Sequence, residues 1–366
     1  MEPNQKAFSI QTLTFIPGLE LNRQYYAKVL APLLNHFDPD LNYSASLIGY
    51  GSDVLGFDNA TSMDHNWGPR GQIFLQGADS NCIESLWNYL AENLPAEFMG
   101  FPTNFTDKRL DFTQSMVPAG SGPINHLVEI YDIDRYFTEI FHKDVFDLAP
   151  IDWLRIPEQK LLEVNAGEVF HDGLKKLNAA REVLHYYPAD IRLAKLASYW
   201  NCISNEEAFI GRAVELSDLL GLKLIASRLV NTLLKICFVI KEKYLPYSKW
   251  FTHGFDQLDL PQIKQAALDI LTENDPKAIE QKLAGLYTQV LSLQNECPGI
   301  PQIETEITSY YNRPYRVIMA EKIVNVLRAS IKDESIRSLE LTHVGLDNKI
   351  DGLDLTNGNT LELIFK

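Results

Sequence analysis

The chain has 366 residues, of which 46% are apolar and 22% charged, and this ordinary globular composition excludes an intrinsically disordered protein. At roughly 150 residues per domain, the length predicts two or three domains. The net charge of −15 argues against broad contact with nucleic acid, because phosphate contacts need clustered Lys and Arg.

Neither export nor membrane insertion is expected. The N-terminal segment MEPNQKAFSIQ has no basic region and no long apolar run, and no apolar stretch reaches the roughly 18 residues of a spanning helix. The four cysteines, Cys82, Cys202, Cys237 and Cys297, show no CxxC spacing. Such a pattern is typical of unlinked thiols in a reducing compartment. We therefore expect a cytoplasmic protein that does not enter membranes.

The first elements form a helix followed by two strands and a second helix. Apolar residues at helical spacing predict an amphipathic helix over 19–36, bent or shortened at Pro32. Apolar runs predict strands near 44–50 and 72–76. A capped amphipathic pattern predicts a helix over about 80–93.

A long loop and another strand complete the N-terminal part. Residues 100–123 are rich in Gly, Pro, Thr and Asp, and a loop of that length is commonly functional or a lid. Residues 126–132, HLVEIYD, alternate as a strand does, and DRYFTEIF after them indicates a helix. Residues 1–150 thus form a small α/β head with a short sheet.

After Pro150 the pattern becomes almost wholly helical. The predicted fold class is therefore α+β, a mixed-sheet head (1–150) followed by an all-helical domain (151–335) and a C-terminal arm (336–366) with a hairpin turn at TNGNT, 356–360. The helical domain is expected to complete a cleft with the head. Its predicted helices cover 174–186, 190–203, 205–242, 260–272, 276–295 and 315–330.

The stretch 47–76 carries the candidate chemistry of the head. Its turn at Gly51-Ser52 offers backbone N–H groups and a hydroxyl that suit phosphate oxygens. Asp64 and Asn66 stand two residues apart, so on a strand their oxygens would share one face and hold one cation. Arg70 follows as a candidate phosphate clamp. The plain alternative is a strand-turn-strand hairpin with a polar rim, in which His65 is a structural residue.

Two further carboxylates are expected near this site. Glu129, in HLVEIYD, is the candidate for a third, metal-binding catalytic carboxylate, because Asp132 has the opposite strand parity and lies near the strand end. Glu168, in NAGEVFHDG, is the candidate general base for an acceptor hydroxyl, with Asp172 as its competitor.

The helical domain supplies candidates for the cleft wall or an acceptor surface. Arg212, Asp218 and Arg228 fall on one predicted helix and form either a structural network or the wall of a nucleotide cleft. Tyr247, Lys249 and Trp250, in KYLPYSKWF, form either a packed loop between helices or an aromatic and cationic surface for an acceptor or a base.

These motifs resemble those of known nucleotidyltransferases. A Gly-Ser turn, a gap and then Asp-x-(Asp/Asn) on a strand resemble the signature of the DNA polymerase β-type nucleotidyltransferase superfamily, whose aminoglycoside-modifying members pair such a head with a helical domain. A wider set of motifs resembles a bacterial family of that superfamily, the domain of unknown function numbered four-zero-three-seven. The set is GYGSDVLGFD, SMDHNWGPR, HLVEIYD, DWL, GEVFHD, LHYYPADI, FIGR and KYLPYSKWF.

The resemblance implies a nucleotide such as ATP, a Mg²⁺ ion with Mn²⁺ as its alternative, and transfer of a nucleoside monophosphate from an NTP to an acceptor expected to be a small molecule. One departure stands out, since the usual Asp-His-Asp pattern here ends in Asn66, and an amide ligates Mg²⁺ without adding charge. The sequence therefore predicts either a Mg²⁺-dependent nucleotidyltransferase or a catalytically weakened nucleotide-binding or interaction protein of the same fold.

Overall fold

The computed structural model describes residues 14–109 and 113–345, which form the following elements. The helices are α1 (Gly18–Tyr25), α2 (Ala31–Phe37), α3 (Ile83–Asn93), α4 (Ile133–Phe141), α5 (Asp152–Arg155), α6 (Glu158–Asn165), α7 (Leu177–Val183), α8 (Ala189–Glu215), α9 (Leu219–Ile240), α10 (Phe251–Asp256), α11 (Pro261–Thr272), α12 (Pro276–Asn295), α13 (Ala320–Ala329) and α14 (Glu334–Arg337). The strands are β1 (Ser44–Leu47), β2 (Arg70–Leu75), β3 (Glu97–Phe98), β4 (Phe101–Pro102), β5 (Leu127–Asp132), β6 (Glu168–Asp172), β7 (Thr308–Tyr310) and β8 (Arg313–Val317).

The chain divides into two compact units. The first, here called the head, comprises 1–147 and 160–185, and the second, the helical unit, comprises 148–159 and 186–366. The fold class is α+β, as predicted. The predicted boundary at residue 150 lies near the first crossing, but the chain then returns to the head, which the sequence analysis does not predict.

The head is built on a four-stranded mixed sheet in the order β5-β2-β1-β6. β1 runs antiparallel to both of its neighbours, whereas β2 and β5 are parallel and pair Gln72 with Glu129. β6 lies within a region where the sequence predicts helices only, and that expectation is wrong at Glu168–Asp172. Its strand character is hard to read because its side chains are mostly half-buried rather than alternating between core and solvent.

One face of this sheet carries the apolar core of the head. Ala45, Ile73 and Val128 pack with residues of the helices before and after β1, including Leu34 and Leu86. Because side chains alternate along a strand, the neighbouring positions point to the opposite face. That face, here called the polar face, carries the buried Ser44, Ser46 and Gln72 together with Glu129, and also the apolar Phe74.

The helix before β1 is continuous but changes its winding. A π-helical turn, Tyr26–Leu30, joins α1 to α2, and Pro32 stands in the first turn of α2. Because Pro has no backbone N–H, a wider turn before it accommodates the missing hydrogen bond. The predicted helix is present, but it is not shortened at Pro32, since it continues to Phe37.

A second apolar cluster fixes the loops of the head. Trp67 and Met63 pack with Phe101, Phe105 and Met116, so segment 63–67 is held against the long loop after α3. Trp67 is 2% exposed and stacks edge-on with Phe101. Burying one apolar side chain of this size stabilises a folded protein by roughly 1.5–3 kcal/mol. The loop is therefore a packed part of the head.

The helical unit is organised around α8, which packs against α9 and α13. Two buried polar contacts anchor it. Trp200 donates from Nε1 to Gln294 Oε1 at 2.8 Å, and Lys195 donates to Glu158 Oε2 at 2.6 Å. Lys195 and Glu158 are 2% and 0% exposed. Buried charges of this kind are tolerated only when paired.

Helix boundaries differ from the prediction at two points. The patterns at 190–203 and 205–242 are α8 and α9, and the break between them falls at Ser217, whose φ is +54°, with Asp218 capping α9 through Gly221 N–H. Arg212, Asp218 and Arg228 are therefore not on one helix. The predicted helix 315–330 begins only at Ala320, because β8 and Met319, with φ +55°, precede it.

No helix in residues 14–109 or 113–345 combines the length and apolarity that a membrane crossing requires. No disulfide joins the four cysteines, and burial raises the pKa of Cys237 to about 12. The hairpin predicted around 356–360 lies outside the residues that the structure describes.

Candidate functional site

The Gly51-Ser52 turn follows β1 and requires glycine at its first position. Gly51 has φ +124°, and a Cβ there would overlap Asp53 Oδ1 and lie 2.5 Å from Arg70 Nη2. The turn continues as Ser52 O accepts from Phe57 N–H at 2.8 Å. The Ser52 hydroxyl makes no hydrogen bond to any residue that the structure describes, so it is available to a ligand.

Arg70 braces this turn from inside the protein. Its Nε and Nη2 donate to the two Asp53 oxygens at 3.0 and 2.8 Å, and Nη2 also donates to Tyr50 O at 2.8 Å. Arg70 and Asp53 are each 1% exposed. Burial alone would lower the pKa of Arg70, but the Asp53 carboxylate outweighs it and raises that pKa. The expectation that Arg70 clamps phosphate is wrong, because this guanidinium is buried and positions the turn.

Asp64 and Asn66 do not lie on a strand, as the sequence analysis expects. Asp64 ends a 3₁₀ helix, Ala60–Asp64, which Asn59 initiates with a capping box. Asn66 is left-handed, with φ +48°, and β2 begins only at Arg70. The reason is local, since the cap starts a helical turn and Gly68-Pro69 delays the strand. The same-face argument for these two side chains therefore fails.

The oxygens of these two residues are used differently. Asp64 is 64% exposed, its carboxylate accepts from the His65 backbone N–H at 3.0 Å, and its Oδ2 lies 2.9 Å from His65 Nδ1. Asn66 Oδ1 accepts the Gln114 N–H at 2.8 Å, while Asn66 N–H donates to Gln114 O at 2.7 Å. Asn66 thus holds the long loop in place, and Asp64 alone faces solvent.

Asp58 links the segment after the Gly51-Ser52 turn to the segment that contains Asp64 and Asn66. Its Oδ2 accepts from Trp67 Nε1 at 2.9 Å and from Gly18 N–H at 2.7 Å. The segment that begins at the Gly51-Ser52 turn is therefore fastened directly to the residue that follows Asn66. Neither Asp58 nor Asp53 is among the sequence candidates, although GYGSD already places an acid directly after the turn.

Glu129 lies on β5, on the polar face of the sheet. Its two oxygens accept from Tyr50 Oη at 3.4 Å and from Gln72 Nε2 at 3.3 Å. Burial and the nearby Glu129 carboxylate together raise the pKa of Tyr50 to about 12. Asp132 instead caps α4 through the N–H groups of Asp134 and Arg135. A carboxylate therefore reaches the residue directly before the Gly51-Ser52 turn.

Glu168 and Asp172 both occupy β6 and both have partners. Arg23 donates to Glu168 through Nε at 2.8 Å and through Nη2, a two-point ion pair that is half exposed. Asp172 accepts from Ser44 Oγ at 2.6 Å and from Asn178 N–H at 2.9 Å at the start of α7. A guanidinium bound to Glu168 weakens it as a general base, because the ion pair occupies both carboxylate oxygens.

The donor set does not fit a resident magnesium site. Residues 14–109 and 113–345 contain no group of three or more His, Cys, Asp or Glu that could hold a metal. Asp64 offers one exposed carboxylate, and the amide oxygen of Asn66 is already bound to Gln114. Mg²⁺ is commonly held by one or two carboxylates plus substrate phosphates. These residues therefore suit only an ion, Mg²⁺ or Mn²⁺, that a nucleotide brings with it.

The candidates in the helical unit do not form one cluster. Arg212 lies in the last turn of α8 and pairs with Glu215 at 3.0 Å. Tyr247, Lys249 and Trp250 lie in the loop between α9 and α10, where Lys249 Nζ lies 4.8 Å from the centre of the Trp250 ring. Trp250 is 8% exposed, and Tyr247 N–H donates to Gln159 Oε1 at 3.0 Å. This loop is packed against the helical unit.

A search of solved structures gives a distant match. The chain is an α+β protein with a mixed-sheet head, and it was matched to a crystal structure described as that of a nucleotidyltransferase-like protein from Exiguobacterium sibiricum 255-15. The two share 10% sequence identity with a TM-score of 0.30 over 74% of each chain, and a similarity this low carries no functional conclusion. No curated protein matches the chain.

The family comparison is more specific. Residues 153–251, about a quarter of the chain, match the model of the family described as "Domain of unknown function (DUF4037)". The resemblance seen in the sequence motifs is confirmed over this segment. The segment begins at Trp153 and ends at Phe251, so it includes α8 and α9 but not the Gly51-Ser52 turn.

Proposed function

We propose that the head binds a nucleoside triphosphate together with Mg²⁺ and that its nucleotidyl transfer is weak or lost. The observation that carries the proposal is the braced loop. The Gly51-Ser52 turn is fixed from inside by Arg70, and Asp58 ties the segment after it to Trp67, close in sequence to the exposed Asp64.

Binding would use few protein groups. The Ser52 hydroxyl and the turn's backbone N–H groups would contact phosphate oxygens, and Asp64 would ligate the ion that arrives with the nucleotide. Gly51 would contribute only the backbone conformation of the turn, and Arg70 would only hold the turn in place. A turn that is already ordered loses little conformational entropy on binding, which favours affinity.

The residues around Asp64 favour weak transfer. Phosphoryl and nucleotidyl transfer depend on cations that neutralise the developing charge, and these cations need several anionic ligands. Asn66 adds no charge and already accepts a hydrogen bond from Gln114. Glu168 is bound by Arg23. The proposed site therefore offers fewer anionic ligands than a transferase needs for its catalytic cations.

A second candidate, an active Mg²⁺- or Mn²⁺-dependent transferase that acts on a small-molecule hydroxyl, is favoured by one observation. Glu129 accepts from Tyr50, directly before the turn, so its carboxylate would lie near the proposed phosphate site. In that case Asp64 and Glu129 would ligate metal with help from Asn66, and Glu168 would activate the acceptor once Arg23 released it. ATP is the first nucleotide to test.

Calorimetric titration of ATP, GTP, CTP and UTP with and without Mg²⁺ tests nucleotide binding. We expect Mg²⁺-dependent binding of at least one NTP, weakened about tenfold or more by Asp64→Ala, a loss of about 1.4 kcal/mol. Asp40→Ala is the control, because Asp40 is also an exposed carboxylate of the head. If no NTP binds in the presence of Mg²⁺, both candidates fail.

Transfer is then tested with labelled NTP. If Asn66→Asp gains transfer that the wild type lacks, the charge deficit at this position limits the reaction, as proposed. If the wild type already transfers as fast as Asn66→Asp, the second candidate is correct. If nucleotide binds and neither protein transfers, the chain is a binding protein in which more than Asn66 has been lost.

A further inference from the structure

The turn between α8 and α9, together with the first turns of α9, presents leucines to solvent. Four of them are between 41% and 73% exposed: Leu216, Leu219, Leu220 and Leu224. They lie within nine consecutive residues, and Leu220 and Leu224 are one helical turn apart, so their side chains are neighbours on the surface of α9. These four leucines are here called the leucine face.

The core of the helical unit does not use the leucine face. α9 contributes to that core through another set of residues, which recur at helical spacing and are buried: Leu222, Ala226, Leu229 and Leu233. Single apolar side chains are common on protein surfaces, whereas a contiguous group of them marks a surface that binds another molecule. α9 therefore has one apolar side for the core and a second that the described residues leave open.

The end of α11 widens this apolar surface. Lys223 Nζ donates to Leu271 O at 3.1 Å and also to Glu273 O, so the last turn of α11 lies beside the first turns of α9. Leu268 and Leu271, near that end of α11, are 46% and 41% exposed. Because Lys223 is bound to these carbonyl oxygens, its charge stabilises the C-terminus of α11 and is already used within the helical unit.

The leucine face has an acidic residue at one end and a basic residue at the other. Asp218 caps α9 through Gly221 N–H and forms no ion pair within residues 14–109 and 113–345. Arg228 lies further along α9, is 55% exposed and donates from Nε to Glu206. Its two terminal nitrogens make no hydrogen bond in the described part of the chain. A carboxylate and one edge of a guanidinium are therefore available to a partner.

This order of charges is complementary to itself. In a two-fold symmetric dimer both chains use the same patch, and two antiparallel copies of α9 would bring opposite charges together, whereas two parallel copies would bring like charges together. With the two-fold axis at the level of Leu222, each Leu220 would face the partner's Leu224. At a rise of about 1.5 Å per residue, Asp218 and the partner's Arg228 would lie about 6 and about 9 Å from the axis, measured along the helices. An Arg side chain spans that difference.

We propose that the helical unit forms a two-fold homodimer in which the leucine faces of two copies pack together, with α9 antiparallel to its copy and Asp218 paired with the partner's Arg228. The interface lies wholly within the helical unit. It does not depend on nucleotide binding, so this proposal and the one for the head stand or fall separately.

Sedimentation velocity on the full chain tests dimer formation. Between about 1 and about 100 μM, concentrations that span micromolar dissociation constants, the measured mass should rise from the 41.6 kDa of one chain toward twice that value. The mass of a single chain at every concentration overturns the proposal. Larger aggregates that form without a dimer also overturn it, because a two-fold interface closes on itself.

Leu220→Glu tests whether the leucine face forms the interface. It places a charge among apolar side chains, where burial without a partner is costly, and should weaken the dimer about tenfold or more. Tyr311→Glu is the matched control, since Tyr311 is 72% exposed in the turn between β7 and β8, and it should leave the dimer unchanged. Unchanged association of Leu220→Glu would refute the proposal. A clear fall in the melting temperature of Leu220→Glu in dilute solution would also refute it, because the leucine face would then be covered within a single chain.

A mixing experiment tests the antiparallel pairing. Arg228→Glu and Asp218→Lys each place like charges opposite one another in their own dimers, so each variant alone should dimerise about tenfold more weakly than the wild type. In a one-to-one mixture every heterodimer has two oppositely charged pairs, and association should return to near the wild-type level. Asp218→Lys also removes the cap of α9, but mixing does not restore a lost cap, so recovery identifies the pair across the interface. If the mixture associates as weakly as the separate variants, the proposed pairing is wrong.

Discussion

The polar side chains of the head and those of the helical unit differ in whether other residues already bind them. Around the Gly51-Ser52 turn, Arg70 and Asn66 are already engaged with Asp53 and Gln114, so the motif residues mostly hold one another. On the surface between α8 and α9, the exposed Arg228 and the half-buried Asn231 have donors and acceptors that no described residue uses. A sequence motif thus identifies a ligand site only when its side chains are not already bound to other residues, and this must be read from the contacts in the structure.

The largest expected effect would break the claim that Arg70 is structural. Arg70→Met leaves Asp53 buried without its partner and should cost about 3–5 kcal/mol in the free energy of unfolding, measured by urea denaturation. The double variant Arg70→Met with Asp53→Asn should recover part of this loss, because no unpaired charge remains. A loss no larger than that of the exposed Arg135→Gln would mean that Arg70 is accessible to a ligand after all.

A smaller effect sharpens the account of the turn. Gly51→Ala should cost about 2–3 kcal/mol, because φ +124° is strained for any L-residue and the new Cβ meets Asp53 and Arg70. Gly56→Ala is the matched control, since its φ of +70° is also positive but nothing lies within 4 Å of its Cβ. It should cost only about 1 kcal/mol. Equal losses in urea denaturation would show that the turn is not crowded.

The pH dependence tests the link between Tyr50 and Glu129. The folded state raises the pKa of Tyr50 from 10.0 to about 12, so the folded protein keeps this proton longer than the unfolded chain. The resulting stability is fully present below pH 10 and is lost as the pH rises through about 12. We therefore expect wild-type stability to fall more steeply than that of Tyr50→Phe over this window. Parallel curves would mean that the Tyr50 hydroxyl does not lie beside the Glu129 carboxylate.

The smallest expected change in the free energy of unfolding is that of a variant at Arg228. Arg228→Gln removes a half-exposed ion pair and should change the free energy of unfolding by no more than about 1 kcal/mol. A large loss would assign Arg228 a structural role like that of Arg70, and the contrast between the two regions would disappear. The same denaturation experiment with Arg135→Gln gives the scale for an exposed pair.

The sequence predicts the elements whose patterns are local. β1, β2 and β5 lie where apolar runs place them, and α11 and α12 differ from the prediction by at most one residue at each end. The strand β6 is missed because it completes a sheet begun more than a hundred residues earlier, so its burial depends on partners that no local pattern shows. The break between α8 and α9 depends on Ser217 in a left-handed conformation, which its residue type does not announce.

The site is less predictable than the fold for a related reason. Glu129 is correctly expected on a strand, whereas the strand expected for Asp64 and Asn66 is prevented by the capping box at Asn59. Whether an Arg binds ligand or protein depends on its burial, and Arg70 and Arg228 look alike in sequence. The assigned roles of Asp64, Glu129 and Glu168 stay predictions for the experiments above.

The place of β6 in the head also bears on how the protein is synthesised. β1 lies between β2 and β6, and the chain visits the helical unit before it supplies that last strand. While the ribosome is still translating residues before 172, a nascent head would expose one side of β1 as an unpaired edge, which is a template for misassociation. Folding of the N-terminal half must therefore wait for later codons, and domains cut at residue 150 would be prone to aggregate.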